Sequence, residues 1–457
     1  MHLDTAFLHK RIDLNAASRY QKHFVRKGTT HTGGHVDNDR PLRICLLSYR
    51  SHPYCGGQGV YVRQLSQALG ALGHSMDVVS GPPYPELQNG SRLHRLPGLD
   101  LYNPAALFRT PSLSELCNPI NLIEWLGVST MGFPEPLTFG LRAGRFLKKR
   151  LQRYDIIHDN QSLSYGVWAL SRRLPTVATI HHPISVDRRL AIRGERWFWK
   201  KAQQWRWYSF IGMQMRVAAA LKHAITVSRA ARDDICREYN IATEKMSVVP
   251  NGIDTQRFKP MPGIRRLRDR LIATASADTP LKGLATLLRA MARILPTRPN
   301  LQLMVVGSLK KESPIAPLLN ELRLGERVRF TGPIRDDEYV RLYAQAWAAV
   351  VPSLYEGFGL PAGEAMACGV PVISTMAGAL PEVVGDAGIL VPPGDAAALA
   401  HAIVRICDDA DLAAVLGRAG CARVNTHFTW AEAARKTVAV YRRTIDDYNR
   451  SEAAAPV

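Results

Sequence analysis

The chain has 457 residues, 46% of them hydrophobic, with 59 Lys and Arg against 39 Asp and Glu, a formal net charge of +20. Single hydrophobic cores stop growing at roughly 250–300 residues, so this length excludes one small domain and implies two cores of similar size. The charge calls for an anionic partner, nucleotide phosphate, acidic lipid or nucleic acid, without choosing among them. Seven cysteines, an odd number scattered with no Cys-x-x-Cys pair, suggest neither a disulfide framework nor a zinc ribbon and fit a reducing cytosol. No apolar run reaches the roughly 18–20 residues of a membrane-crossing helix, and the polar, His-rich start lacks the apolar centre of a signal peptide, so any membrane contact is expected to be peripheral.

In chain order, residues 1–40 read as a disordered tail. Short β-branched runs then alternate with amphipathic stretches, the pattern of parallel α/β sheets. The expected strands of the first half are Arg43–Ser48, Met76–Ser80, Asp155–His158, Thr176–His181, Ala224–Ser228 and Met246–Pro250. The segment Pro250-Asn-Gly-Ile-Asp254 suits a sharp exit from a strand into a linker. The second half offers Leu271–Ala275, Gln302–Gly307, Val328–Thr331, Ala348–Pro352, Pro371–Ser374 and Gly388–Val391. The fold class is therefore α/β, two Rossmann-like doubly wound domains facing a cleft, at 41–250 and 251–427, followed by a final helix at 428–450. That helix places Ala433, Val438 and Tyr441 at apolar positions.

Four stretches carry chemistry. After the first strand, Gly56, Gly57 and Gly59 allow backbone to approach a phosphate, or simply form a tight turn; the spacing is G-G-x-G, and the second strand closes on Ser80-Gly81 rather than an acid, which argues against a dinucleotide fold. Thr179-Ile-His181-His182-Pro183 ends a first-domain strand, the edge where such sheets bind ligands. A histidine there can donate to a sugar hydroxyl, or be a satisfied core residue. Ala273 to Gly283 forms a strand end, a loop and a helix start holding Lys282, whose ammonium can neutralise a diphosphate leaving group. Last, Glu356-Gly357-Phe358-Gly359-Leu360-Pro-Ala-Gly-Glu364 sets two carboxylates around a glycine-rich turn that opens a helix, so that bare N–H groups and the helix dipole face an anion while carboxylates await hydroxyls. The apolar surroundings of Glu364 make an unpartnered charge costly there.

From about Arg43 to about Tyr441 the chain resembles the retaining glycosyltransferases of family 4 with the GT-B fold, whose donor site carries this Glu-x7-Glu signature. The resemblance implies that Glu364 accepts from the ribose hydroxyls of a nucleoside-diphosphate-sugar and that Glu356 contacts the donor sugar. Gly357, Phe358, Gly359 and Leu360 would offer backbone N–H groups, and the base would lie beside the loop ending in Ile334. His181 would lie against the donor sugar. The final helix would cross back onto the first domain. The family's usual arginine, six residues before the lysine, is here Ser276. No metal and no cofactor beyond the donor substrate are implied; Asp37-Asn-Asp39 and Asp409-Ala-Asp411 match Asp-x-Asp but stand in the tail and on a surface helix.

Between Arg188 and Arg206 seven basic residues face one acid, Glu195, and Trp197, Trp199, Trp205 and Trp207 supply four of the chain's eight tryptophans. The segment Trp197–Tyr208 has the composition of an interfacial helix on an anionic membrane surface, or of a helix packed on the first domain. The expectation is a retaining, metal-independent hexosyltransferase acting on a lipid or glycan acceptor, cytoplasmic or peripheral on the inner face of the membrane. The alternatives are a transferase for a soluble small-molecule acceptor and a sugar-nucleotide or nucleic-acid binding protein without turnover. Nucleic acid is not expected as a partner.

Overall fold

The computed structural model describes residues 40–52, 57–88, 90–274, 280–310 and 313–454. Gly56 and Ser276, both singled out above, lie outside these residues, as do Asp37 and Asp39.

The first sheet has seven parallel strands, β1 (Arg43–Ser48), β2 (Ser75–Ser80), β3 (Ser91–Arg95), β4 (Ile156–Asn160), β5 (Thr176–Ile180), β6 (His223–Thr226) and β7 (Met246–Val248), in the order β3-β2-β1-β4-β5-β6-β7. The second has six, β8 (Leu267–Thr274), β9 (Gln302–Val306), β10 (Val328–Phe330), β11 (Ala346–Val351), β12 (Val372–Thr375) and β13 (Gly388–Val391), in the order β10-β9-β8-β11-β12-β13. Helices cover both faces, so the central strands are buried on both sides and read as continuous apolar runs. Every residue of β4, β5, β6 and β12 is buried.

Two expectations are corrected. β3, Ser-Arg-Leu-His-Arg, is an edge strand with no fully buried residue, so it lacks the apolar signal. β8 begins at Leu267, four residues before the apolar run, because its first three residues are exposed.

Both sheets reverse their strand order beside the first strand of each domain, between β1 and β4 and between β8 and β11. Ligands in open α/β sheets bind outside the carboxyl ends of the strands at such a point. The loops after β1, β4 and β5 and those after β8 and β11 stand at or beside these points. The helix Trp430–Ala453 leaves the second domain and packs on the first. Trp430, Ala433, Ala434 and Tyr441 join Ile44, Leu46, Tyr61 and Leu65 in one buried cluster. Tyr441 Oη lies 2.6 Å from His158 Nδ1. The two crossings between domains run side by side, with Ile253 bridged to Thr429.

Candidate active site

Lys282 closes a short turn, Pro280–Lys282, after β8, and Glu356 follows β11. The loops are tied by Leu354 N–H donating to Leu281 O at 2.7 Å. The two side chains meet as a consequence: Nζ lies 2.9 Å from each carboxylate oxygen of Glu356. The ammonium keeps a third of its surface while the carboxylate is nearly buried, which leaves the cation accessible to a ligand.

Gly359 caps the helix Leu360–Ala367 at φ 102°, a conformation open to glycine and strained for other residues. Inside this helix, half-buried Glu364 accepts from Tyr339 Oη at 3.0 Å. Tyr339 in turn lies 2.9 Å from both Thr274 Oγ1 and Tyr343 Oη. Loss of water around Glu364 pushes its carboxyl up to about 7, opposed by the Tyr339 hydrogen bond and by Arg257. Tyr339 and Tyr343 were not identified from sequence; their i, i+4 spacing on Asp336–Gln345 was the signal. Ile334 stands, half-buried, between β10 and that helix.

In the first domain, Asn160 ends β4 and His181 follows β5. Asn160 Nδ2 donates to Ser48 Oγ at 3.2 Å, which fixes its amide and turns Oδ1 toward His181 Nε2 at 2.8 Å. Nε2 therefore carries the proton and Nδ1 is left as an acceptor. Burial holds the imidazole neutral, its pKa lowered to about 3. With that tautomer the nitrogen left for a ligand, Nδ1, is an acceptor. Gln161 grips both neighbours, accepting from His181 N at 2.8 Å and donating to His182 O at 3.0 Å. His182 points elsewhere, to Asp187 at 2.7 Å.

The two groups face each other. A Cβ on Gly357 would come within 2.9 Å of His181 O, so only glycine allows the Glu356–Leu360 turn to lie against the His181 loop. Ser228 Oγ donates to Gly357 O at 2.8 Å, Tyr355 Oη to Asp234 at 3.0 Å and Gln64 Nε2 to Asp254 at 3.0 Å, each across the domains. Gly57 opens the first helix, where a Cβ would lie 3.9 Å from Leu360. Among the described residues no three His, Cys, Asp or Glu side chains are grouped to share a metal ion, and Asp409 instead caps the helix Ala410–His427.

The helix Phe198–Trp207 divides its aromatic residues. Trp197, Phe198, Trp199 and Trp205 are exposed. Trp207 instead packs on Tyr102 and Phe133, at ring distances of 5.5 and 5.2 Å, so at its end the segment follows the alternative of a helix packed on the first domain. Among the described residues no helix is long and apolar enough to cross a membrane.

Two Rossmann-like, doubly wound domains facing one another are the architecture of the GT-B glycosyltransferases. Residues 55–257 match the description "Glycosyltransferase Family 4" and residues 268–409 "Glycosyl transferases group 1". The chain is 46% identical over 409 residues to an MMP alpha-(1->4)-mannosyltransferase of Mycolicibacterium hassiacum, covering 88% of this chain and 98% of that one. It is 29% identical to a D-inositol 3-phosphate glycosyltransferase of Streptomyces avermitilis, covering 90% and 89% of the two chains. Among solved structures, sucrose-phosphate synthase from Thermosynechococcus elongatus superposes with a TM-score of 0.69 at 28% identity, over 89% of this chain and all of that one. The chain belongs to the group 1, family 4 glycosyltransferases.

Proposed function

We propose that this enzyme transfers a mannosyl residue from a nucleoside-diphosphate-mannose to a glycan acceptor, with retention and without a metal. The observation that carries the reading is the Lys282–Glu356 pair at the β8/β11 switch point, facing His181 across the cleft. Lys282 is placed to take the charge of a departing diphosphate, the task a divalent metal performs elsewhere. Glu356, released from the lysine, accepts from hydroxyls of the donor sugar. Glu364 accepts from the ribose, and the N–H groups at the start of Leu360–Ala367 face phosphate. His181 Nδ1 accepts from a sugar hydroxyl close to the anomeric carbon.

The 46% identical relative supports the mannosyl donor and the α-(1→4) linkage. An α-linked product from an α-linked diphosphate is retention. The carboxylates beside the first-domain edge are engaged elsewhere, Asp159 by Ser162 and Leu163 and Asp187 by His182. In the step proposed, the bond from anomeric carbon to phosphate oxygen breaks, the acceptor oxygen bonds on the same face, and its proton passes to the leaving phosphate. The test offers nucleoside-diphosphate sugars with short α-(1→4)-mannosides in excess chelator, and reads the product's anomeric configuration by NMR. Turnover only after metal is restored, or a β-linked product, overturns the reading.

A second reading of where it works rests on the exposed Trp197, Trp199 and Trp205 among Arg188, Arg193, Arg196, Lys200 and Lys201. Aromatic rings at headgroup depth beside cations suit an anionic bilayer surface.

A further inference from the structure

Behind the active site, where the linker and the crossover helix pass between the domains, lies a cavity of about 430 Å³. This is the size of a small-molecule site. Its apolar wall includes Val248, Phe358 and Phe428. Three cations line it from three separate pieces of the fold: Arg229 from the start of a first-domain helix, Arg423 from the second domain and Lys436 from the crossover helix.

The three cations face one acid in the lining, Glu382. Arg423 is held by carbonyls, donating from Nε to Val383 O at 2.8 Å and from Nη2 to Glu382 O at 2.9 Å. Its guanidinium lies 5.8 Å from the centre of the Phe428 ring. Glu382 offsets one of the three cations, its carboxylate held at the helix start by the backbone N–H groups of Arg229 and Ala230, at 2.9 and 2.8 Å, which leaves an excess of positive charge in the lining. Lys436 shares Glu432 with Arg435. Convergent cations over an apolar floor select a ligand with an anionic head and a hydrophobic body.

We propose that this cavity binds a small organic anion, an apolar body bearing a phosphate or carboxylate, and that its occupancy favours the closed pair of domains. The bound anion would touch both domains and the crossover helix at once, so it would bind the arrangement that brings Arg229, Arg423 and Lys436 together better than one that parts them. It would also press on Phe358, between Gly357 and Gly359 of the turn that faces His181. Closure stabilised from behind strengthens donor binding, and by reciprocity the donor strengthens anion binding.

Phenyl phosphate is the probe, with phenol as the uncharged control, titrated calorimetrically into the full chain while saturating nucleoside diphosphate fills the donor site. Phenyl phosphate is expected to bind and phenol not. The double variant Arg229→Ala/Lys436→Ala should weaken the probe by about tenfold or more. Both side chains are exposed, so its melting temperature without probe should match the wild type. The probe should lower the donor KM several-fold in the wild type alone. Absence of binding while the donor site is filled, or equal affinity in the double variant, overturns the proposal. The binding arm does not depend on which sugar or acceptor the enzyme uses.

Discussion

Lys282 and Glu356, from loops on either side of the β8/β11 reversal, hold one another through two 2.9 Å hydrogen bonds. Each is therefore partly masked until a donor arrives. Charges that act as a unit are not additive on mutation. Lys282→Ala and Glu356→Ala are each expected to lower kcat by roughly 10²–10³-fold, and the double variant by far less than the product. Glu356→Gln should bind nucleoside diphosphate more tightly than wild type, since it frees the ammonium, while still failing to transfer. Steady-state kinetics and calorimetry measure both; fully multiplicative losses would mean that the pair does not act together.

Glu364 brings a pH dependence. Its carboxyl sits raised to about 7 in the folded protein and lower in the unfolded chain, so between those values the folded state binds the extra proton. Stability from this group is fully present at acid pH and is lost as pH rises toward and through 7. Glu364→Gln should remove that loss, its unfolding free energy gaining on wild type as pH increases. On the proposed role of Glu364 as acceptor for the ribose hydroxyls, donor binding runs the opposite way and should strengthen from pH 6 to 8 in wild type but not in the variant.

The hydrogen bond from His181 to Asn160 makes a claim about one proton. Asn160→Asp would set a carboxylate against Nε2, raise the imidazole pKa and favour the doubly protonated ring, which has no acceptor. Activity should then fall as pH drops below neutrality, whereas the wild type, its ring neutral down to about 3, should show no titration from this group there. His181→Ala should lower kcat/KM by roughly 10²-fold with nucleoside-diphosphate affinity unchanged. Nitrogen NMR of labelled imidazole reports the tautomer directly.

The exposed aromatics can be weighed on vesicles. If Trp197, Trp199 and Trp205 enter a bilayer interface, the protein should sediment with vesicles containing anionic lipid and release at high salt, as cation contributions of about 1 kcal/mol each are screened. Changing the three to Ser should abolish sedimentation and leave donor hydrolysis intact. Equal binding to neutral vesicles would exclude the charged-surface reading.

The sequence made the two sheets legible because their central strands are buried on both faces and unbroken in apolar character. The polar edge strand Ser91–Arg95 escaped for the opposite reason. Glycine spacing and flanking carboxylates located Glu356, Glu364 and the turn between them, and Lys282 could be placed in the same loop system. What could not be read was pairing at long range: that Lys282 would rest on Glu356, that Tyr339 would serve Glu364, or that Asn160 and Gln161 would orient His181. Such contacts depend on which loops the strand order brings together, and the strand order is not written in any local pattern.

The crossover helix changes the order in which the chain can be completed. Trp430, Ala434 and Tyr441 fill the first domain's core, and Tyr441 hydrogen-bonds the buried His158. A ribosome finishes residues 41–250 long before it makes these side chains, so the domain that emerges first must wait with a face of its core uncovered. The newborn first half is thus the one that needs sheltering during synthesis, and removing turns of the crossover helix would injure the half that was built before it.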